Sequence, residues 1–318
     1  MMARTELQDT RSLDLSVKVK DYMQLVKFTL SFTVVFSCVV CYLLSPTVVE
    51  FDWKMIGLLF LAGMLVTGSA NAINQAVEKD TDALMKRTGK RPVAAGRMST
   101  GEAYSFALVA GAAGVLMMWY FFNLESALLS LFSLFLYAYI YTPLKKVSSI
   151  AVLVGAFPGA LPCLIGWVAG TGEFSPFATV NATVHGVTVE MSNMAGWALF
   201  GIQFLWQFPH FWAIAWVADD DYKKAGFKLL PSGGQKDLNS AIQIMIYTMC
   251  LIPLGLLPAA FGITGTKSAI VATVCGVLFF AQTFSLMRSG DRRSALKIMF
   301  GSFLYLPIVQ IAYLLDKA

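Results

Sequence analysis

The chain has 318 residues, 57% of them hydrophobic and only 14% charged, and its mean hydropathy of +0.65 does not fit a surface that faces water on all sides. A water-soluble enzyme of one or two domains is excluded. In such a composition a net charge of +5 reads as membrane orientation rather than as nucleic-acid binding.

Apolar stretches of about 20 residues, the length a helix needs to cross the hydrocarbon core of a bilayer, recur along the chain. Nine spans are expected, near 22–45, 54–76, 101–121, 124–141, 150–170, 194–217, 240–262, 268–287 and 295–315. What remains is too scattered for a separate soluble domain. The expected organisation is a polar cytoplasmic tail over 1–21 and one transmembrane domain over 22–318, an all-α polytopic fold. The tail is mixed in charge and carries no cleavable signal. All five cysteines fall in apolar stretches and read as small hydrophobes. Cys38-Val-Val-Cys41 has the spacing of a redox motif but lacks its strand–helix context.

Lys and Arg divide unevenly between the two faces. The tail and the loops after spans 2, 4, 6 and 8 hold 21 of the 24, leaving Lys54, Lys267 and Lys317 opposite. By the positive-inside rule the N-terminus is cytoplasmic, or faces the matrix in a mitochondrion. The fifth span is dense in helix breakers, Gly155, Pro158, Gly159, Pro162 and Gly166, which read either as tight helix packing or as room for a ligand. The loop 171–193 has Glu173, Glu190 and His185 as its titratable groups, and Asn181-Ala-Thr183 is a weak match to a glycosylation pattern.

The middles of the spans hold almost no ionisable groups, which argues against a proton-driven transporter. Polar residues gather instead at the ends of spans 2 and 6. If span 2 continues as a helix, Asn74, Glu78 and Asp82 sit at i, i+4 and i+8 on one stripe about 12 Å long, at a water-accessible helix end. Oxygen ligands in a row suit Mg²⁺, which is commonly shared between one or two carboxylates and substrate phosphates. Lys86, Arg87 and Arg91 follow at once, and a guanidinium matches phosphate oxygens through its planar fork. The second cluster, Asp219-Asp220-Asp221 with Lys223 and Lys224, comes four spans later, the spacing of an internal repeat. Three adjacent carboxylates need a cation or bases to offset their repulsion. Together the clusters read as a two-site Mg²⁺–diphosphate arrangement, in preference to two solvated helix ends.

The pattern Asn-x₃-Glu-x₃-Asp with a second acidic motif resembles the UbiA-type intramembrane prenyltransferases, and within them the heme O synthase branch. The closer similarity rests on Asp80-x-Asp82-Ala-Leu-Met-Lys-Arg-Thr with Arg91-Pro92, and on Tyr141-Thr-Pro-Leu-Lys-Lys-Val-Ser-Ser. It continues through Val154-Gly-Ala-Phe-Pro-Gly-Ala-Leu-Pro with Gly166-Trp167, and Trp206-Gln-Phe-Pro-His-Phe-Trp with Asp220-Asp-Tyr-x₂-Ala-Gly. Two positions depart from the wider superfamily. Gln75 and Glu78 stand where Asp is frequent, and Ala225 stands where a further acid often follows Asp221. The metal ligands among Asp219, Asp220 and Asp221 therefore stay open, with the alignment favouring the latter two.

The resemblance implies helices around a central cavity and Mg²⁺-dependent transfer of a farnesyl group from farnesyl diphosphate to a vinyl group of protoheme IX, with addition of water. It implies metal and catalytic roles for Asn74, Glu78, Asp82, Asp220 and Asp221. Lys86, Arg87, Arg91, Lys145, Lys146, Lys224 and His210 would bind substrate, Mg²⁺ would be the cofactor and heme the acceptor. The expected membrane is the bacterial inner membrane, or the mitochondrial inner membrane in a eukaryote, with the active site toward the cytoplasm. Product would pass to a heme-modifying enzyme or a terminal oxidase. His210, the only histidine inside an expected span, is a candidate iron ligand, because a buried neutral imidazole binds iron and Pro209 can open the helix beside it. The bland alternative is an imidazole satisfied by a neighbouring helix. Two rival functions are prenyl transfer to a quinone precursor through the same diphosphate site, and a non-catalytic membrane carrier, which would show no Mg²⁺-dependent diphosphate release.

Overall fold

The computed structural model describes residues 15–184 and 187–318; the first 14 residues, His185 and Gly186 lie outside the described residues. Helices α1 (Leu15–Leu25) and α2 (Phe28–Leu44) meet at an elbow of 52°. The last residues of the expected tail are thus helical, and the first expected span is bent rather than straight. Helix α3 (Trp53–Val77) starts at Asp52, whose carboxylate accepts from the Lys54 and Met55 amides, and the six-residue α4 (Lys79–Leu84) follows it. Helix α5 (Thr100–Phe121) is capped by Ser99 and α6 (Leu124–Phe135) by Asn123, polar residues that satisfy amides left over in a first helical turn. A π-helical turn, Leu136–Tyr141, carries α6 into the short α7 (Thr142–Leu144). Then come α8 (Ala151–Thr171), strands β1 (Thr179–Val184) and β2 (Val187–Ser192), α9 (Met194–Val217) and α10 (Asp219–Lys224). The chain ends with α11 (Leu238–Leu254), α12 (Leu257–Ala260), α13 (Thr266–Ser289) and α14 (Arg292–Leu315).

Among the described residues seven helices are long and apolar enough to cross a membrane, or eight with the α1–α2 pair taken as one span. Helix α9, with 24 residues, has the length but not the composition, since it carries Gln203, Gln207, Pro209 and His210. It makes up for these inside the bundle, where it packs against α8, α11 and α14. The segment expected as a loop at 171–193 contains an antiparallel hairpin, Thr179 pairing with Ser192. Its strands are rich in Thr and Val, which favour the extended chain.

Helices α2, α8, α9 and α14 form an inner layer, with α3, α5 and α6 on one side and α11 and α13 on the other. Helix α8 is the most enclosed span, 72% of its apolar window being buried, and its breakers serve close packing. A Cβ placed on Gly166 would lie 1.9 Å from the Cys38 carbonyl oxygen of α2. The indole of Trp167 presses on Gly196 of α9 in the same way, at 2.4 Å from a Cβ placed there. Polar side chains inside this layer satisfy one another: Ser37 donates to Gln310, Gln310 to Gln203, and Gln203 to the Gly159 carbonyl. The five cysteines are free thiols, and Cys163 donates to Gln203. A small void of about 10 Å³ lies beside Cys41, Cys163 and Tyr313. These contacts hold the inner helices, and with them the helix ends, in place.

Gly166→Ala should therefore force α2 away from α8 and destabilise the protein by about 3 kcal/mol or more, as overpacking does in a dense core. Gly57→Ala, with no neighbouring atom within 4 Å, should be neutral or slightly stabilising. Thermal unfolding in detergent separates the two variants.

Candidate active site

Helix α3 ends at Glu78, whose φ of −92° and ψ of 11° depart from the α-helical region. Hydrogen bonding nevertheless continues through the break: the Glu78 amide donates to Asn74 O at 2.9 Å, and the Asp82 amide to Glu78 O at 2.7 Å. Asn74, Glu78 and Asp82 keep their common stripe. The water-accessible helix end expected for them is corrected, because all three are buried and Asp82 is only 1% exposed. Sequence spacing could not reveal this cover, which comes from elements far along the chain.

Buried carboxylates need partners, and both have one. Arg91 Nη1 lies 2.6 Å from Asp82 Oδ2, and Lys145 Nζ lies 2.5 Å from Glu78 Oε1. Lys27 Nζ donates to Asn74 Oδ1 at 3.0 Å, and the same amide donates to Thr142 Oγ1 at 3.4 Å. Three bases from three segments thus converge on one stripe.

The elbow between α1 and α2 aims Lys27. Among the described residues Lys27 is the one non-glycine with positive φ, 48°, a conformation that costs about 1–3 kcal/mol. The bend frees backbone carbonyls, which α3 satisfies. Gln75 Nε2 donates to Gln24 O and Leu25 O at 2.9 and 2.8 Å, and Asn71 Nδ2 donates to Val26 O at 3.2 Å. An Asp at position 75 could accept but not donate, so this elbow requires an amide there. The segment after α4 is tied to α1 through Arg97, which donates to Asp21 at 2.9 Å and Gln24 at 3.0 Å.

The second acidic motif repeats the local design. Helix α9 ends at Ala218, with φ −102° and ψ 18°, and the six-residue α10 follows. Its three acids differ. Asp219 is buried and paired with Lys223 at 2.9 Å and Lys236 at 3.3 Å; hydrogen bonding to Asp219 holds the Lys223 ammonium above its ordinary pKa. Asp220 is exposed. Asp221 turns toward the first motif, with its Oδ2 3.4 Å from the Arg87 amide and its Oδ1 4.0 Å from Lys224 Nζ.

Arg87 also donates to Tyr222 Oη at 3.1 Å, its guanidinium 5.6 Å from that ring's centroid. The fold therefore brings the two motifs together, as the sequence suggested. Lys86 and Lys146 lie exposed beside Arg87 and Lys145.

Sequence reasoning missed Lys27 as a site residue, counting it only as a charge; its signal was a base directly abutting the first apolar run. Tyr141, Thr142 and Phe227 were missed too. The π-helical turn, a feature frequent at functional sites, delivers Tyr137, Tyr141 and Thr142 toward Asn74 and Lys145.

His210 stands apart, between α9 and α14. Its Nδ1 is 2.8 Å from Ser302 Oγ, and that hydroxyl spends its single proton on Met299 O at 2.6 Å. Nδ1 must then be the donor, which leaves a lone pair on Nε2. Trp206 stacks on the imidazole at 4.4 Å.

Among the described residues no three His, Cys, Asp or Glu side chains are grouped to hold a metal by themselves. Asp82 Oδ1, however, is buried with no hydrogen-bond partner, and the donors around it are hard oxygens. Such an incomplete set fits Mg²⁺, which takes one or two carboxylates and completes its shell with phosphate oxygens and water. A cleft of about 310 Å³ around Lys317 lies at the opposite end of the bundle and contains none of these groups.

The family described as UbiA prenyltransferase matches residues 34–306. A protein of Cytophaga hutchinsonii named protoheme IX farnesyltransferase is 48% identical over 93% of this chain and 97% of its own. One of Christiangramia forsetii with the same name is 40% identical over 94% of each. Among solved structures, one reported for digeranylgeranylglyceryl phosphate synthase superposes with a TM-score of 0.73 at 20% identity, covering 94% of this chain and 98% of that one. A UbiA homolog from Archaeoglobus fulgidus bound to GPP and Mg²⁺ gives 0.62 at 15% identity, covering 92% and 99%.

The three acids of α10 should separate experimentally. Asp219→Asn releases Lys236 and should speed amide exchange in the segment 226–236 about tenfold, the equivalent of a partly buried ion pair. Asp220→Asn should leave that exchange unchanged; hydrogen–deuterium exchange by mass spectrometry reads both.

Proposed function

Because the chain belongs to the UbiA prenyltransferase family, and is thereby an integral membrane prenyltransferase, we propose that it transfers a farnesyl group from farnesyl diphosphate to a vinyl group of protoheme IX. Water adds in the same transformation, and the products are heme O and diphosphate. The observation that carries this reading is the convergence of Lys27, Arg91 and Lys145 on the buried stripe of Asn74, Glu78 and Asp82, with one oxygen of Asp82 unpartnered. The names of the similar proteins from Cytophaga hutchinsonii and Christiangramia forsetii support heme as the acceptor.

Arg91, Lys145 and Lys27 bind the diphosphate from within, and Arg87, Lys224, Lys86 and Lys146 from the exposed side. Asn74, Glu78, Asp82, Asp220 and Asp221 would hold Mg²⁺, which when bound supplies Lewis-acid neutralisation of the leaving group. Each base that turns from a carboxylate to a phosphate oxygen frees that carboxylate for the metal. The site thus exchanges one set of ion pairs for another, and no charge is left bare. Arg91 and Arg87 stabilise the negative charge that grows on the leaving oxygen, the term that dominates such reactions.

His210, with Nδ1 engaged by Ser302, would bind the iron of protoheme through Nε2, and Trp206, stacked on the imidazole, would contact the porphyrin. The lysine- and arginine-rich loops support a cytoplasmic position for this end of the bundle, and the bacterial sources of the similar proteins support the bacterial inner membrane as its location.

Incubation of the purified protein with heme, farnesyl diphosphate and Mg²⁺ should yield the hydroxyethylfarnesyl porphyrin by mass spectrometry, and chelator should abolish it. Asp82→Asn should lose at least about a hundredfold in turnover, as expected for a ligand of the group that neutralises the leaving charge. Arg87→Ala should weaken inorganic pyrophosphate binding about tenfold, and Lys at this position should restore only part of it. Full turnover in Asp82→Asn refutes the metal assignment.

His210→Ala should shift the Soret band of bound heme and weaken heme binding while pyrophosphate binding persists. An unchanged spectrum and affinity returns His210 to a purely structural position between α9 and α14.

A further inference from the structure

The turn between α13 and α14 gathers four exposed bases, Arg288, Arg292, Arg293 and Lys297, and among the described residues none of them forms an ion pair. Asp291, the acid of this turn, is taken up as a helix cap: its carboxylate accepts from the Ser294 amide at 2.7 Å. Uncompensated positive charge at the edge of an apolar bundle attracts an anion.

The bases face different ways. Arg293 and Lys297 share the side of α14 that carries Phe300 and Leu304, 58% and 63% exposed, because residues three and four apart lie on one helix face. That side meets lipid. The side of Arg292 continues through Leu296, Met299 and Phe303, and the Phe303 ring meets the His210 imidazole edge-on at 5.1 Å. Of the three bases on α14, Arg292 alone lies on the His210 side.

The stem of Arg292 is pinned as well. Its Nε donates to the carbonyl of Val217, the last residue of α9, at 3.4 Å, and the Trp216 indole donates to Gly290 O at 3.3 Å, which fixes the turn against the end of α9. Only Nε is used, so both Nη nitrogens keep their N–H groups for an acceptor. From Val217 down to His210 is two turns of α9, about 10 Å. The seam between α9 and α14 thus carries a guanidinium fork at its end and an imidazole farther in.

Protoheme has the matching pattern in one molecule. Two propionate carboxylates project from one edge of the macrocycle, the iron is at its centre, and both vinyl groups are on the opposite half. A carboxylate that leaves water needs a base, and a guanidinium fork fits its two oxygens. We propose that Arg292 binds a propionate of the acceptor, so that Arg292 at the edge and His210 at the iron together set which way the ring lies. The proposal rests on the protoheme reading given above. With the carboxylate edge held at Arg292, the vinyl-bearing half is directed into the bundle; a ring turned the other way would put its carboxylates in apolar surroundings.

The test compares protoheme with its dimethyl ester, which keeps the iron and the vinyl groups but has no carboxylate charge, in Soret titrations of the full-length protein in detergent. The quantity read is how the preference for protoheme over the ester changes between proteins, which cancels any difference in how the two enter the micelle. Arg292→Gln should lower that preference about tenfold, the worth of one charge-assisted bidentate contact. It should do so by weakening protoheme while the ester binds as before, and the retained ester affinity shows that the variant is folded. Arg292→Lys should keep part of the preference, and Arg293→Gln, on the lipid side, all of it. Inorganic pyrophosphate with Mg²⁺ should bind equally to all four proteins.

The proposal is overturned if the preference is unchanged in Arg292→Gln, or if protoheme and ester weaken alike, which would make Arg292 only a tie between α9 and α14. It is equally overturned if pyrophosphate binding falls instead, which would assign the guanidinium to the diphosphate. Absence of protoheme binding to wild type would overturn the acceptor reading itself, and this proposal with it.

Discussion

Glu78 and Asp82 are carboxylates held out of water at the end of a long apolar helix, and the arrangement of that end of the bundle follows from keeping them charged. An unpaired buried carboxylate costs several kcal/mol even after the surroundings relax. Each acid therefore has a base at contact distance, Lys145 for one and Arg91 for the other. Neither base can come from α3 itself, so two other segments must be positioned to supply them. Arg91 arrives on the segment after α4, which Arg97 fastens to Asp21 and Gln24 of α1. Lys145 arrives directly after α7, downstream of the π-helical turn that shifts the register by one residue. Lys27 completes the set from an elbow whose freed carbonyls are met by Asn71 and Gln75.

Rigidity and mobility divide along the chain accordingly. The inner helices are locked by glycine contacts and by the buried Ser37–Gln310–Gln203 chain, features that leave little room for adjustment. Apart from Asn74 on α3, His210 on α9 and Arg292 at the start of α14, the groups assigned to binding sit on six-residue helices and connecting segments, where fewer apolar contacts must break for a side chain to move. Such low-stability elements are where ligand-responsive motion is found. A bed of ion pairs on a stiff frame can exchange partners without repacking the core.

The two acidic motifs share one local form, a long helix, one residue outside the helical region and a six-residue helix, yet they differ in cover. The first is buried under bases. In the second one acid anchors a segment, one is exposed and one faces Arg87. Gln75, beside the first motif, is spent on the backbone: it donates to two carbonyls of the elbow.

Hydropathy alone determined that this chain crosses a membrane many times, because apolar length is a local property. The stripe of Asn74, Glu78 and Asp82 was equally legible, since helical spacing is local too, and it survived the break at Glu78 because the i, i+4 hydrogen bonds persist. Positive charge near both acidic motifs was visible as composition. The assignment of those charges was not: that Lys145, 67 positions beyond Glu78, is its partner and that Asp221 meets Arg87 across 134 positions follow only from how α6, α8 and α9 pack. The bend before α2, the close packing of the inner layer and the difference between Asp219, Asp220 and Asp221 were decided the same way. Burial and pairing are sums over distant segments, and no window of sequence contains them.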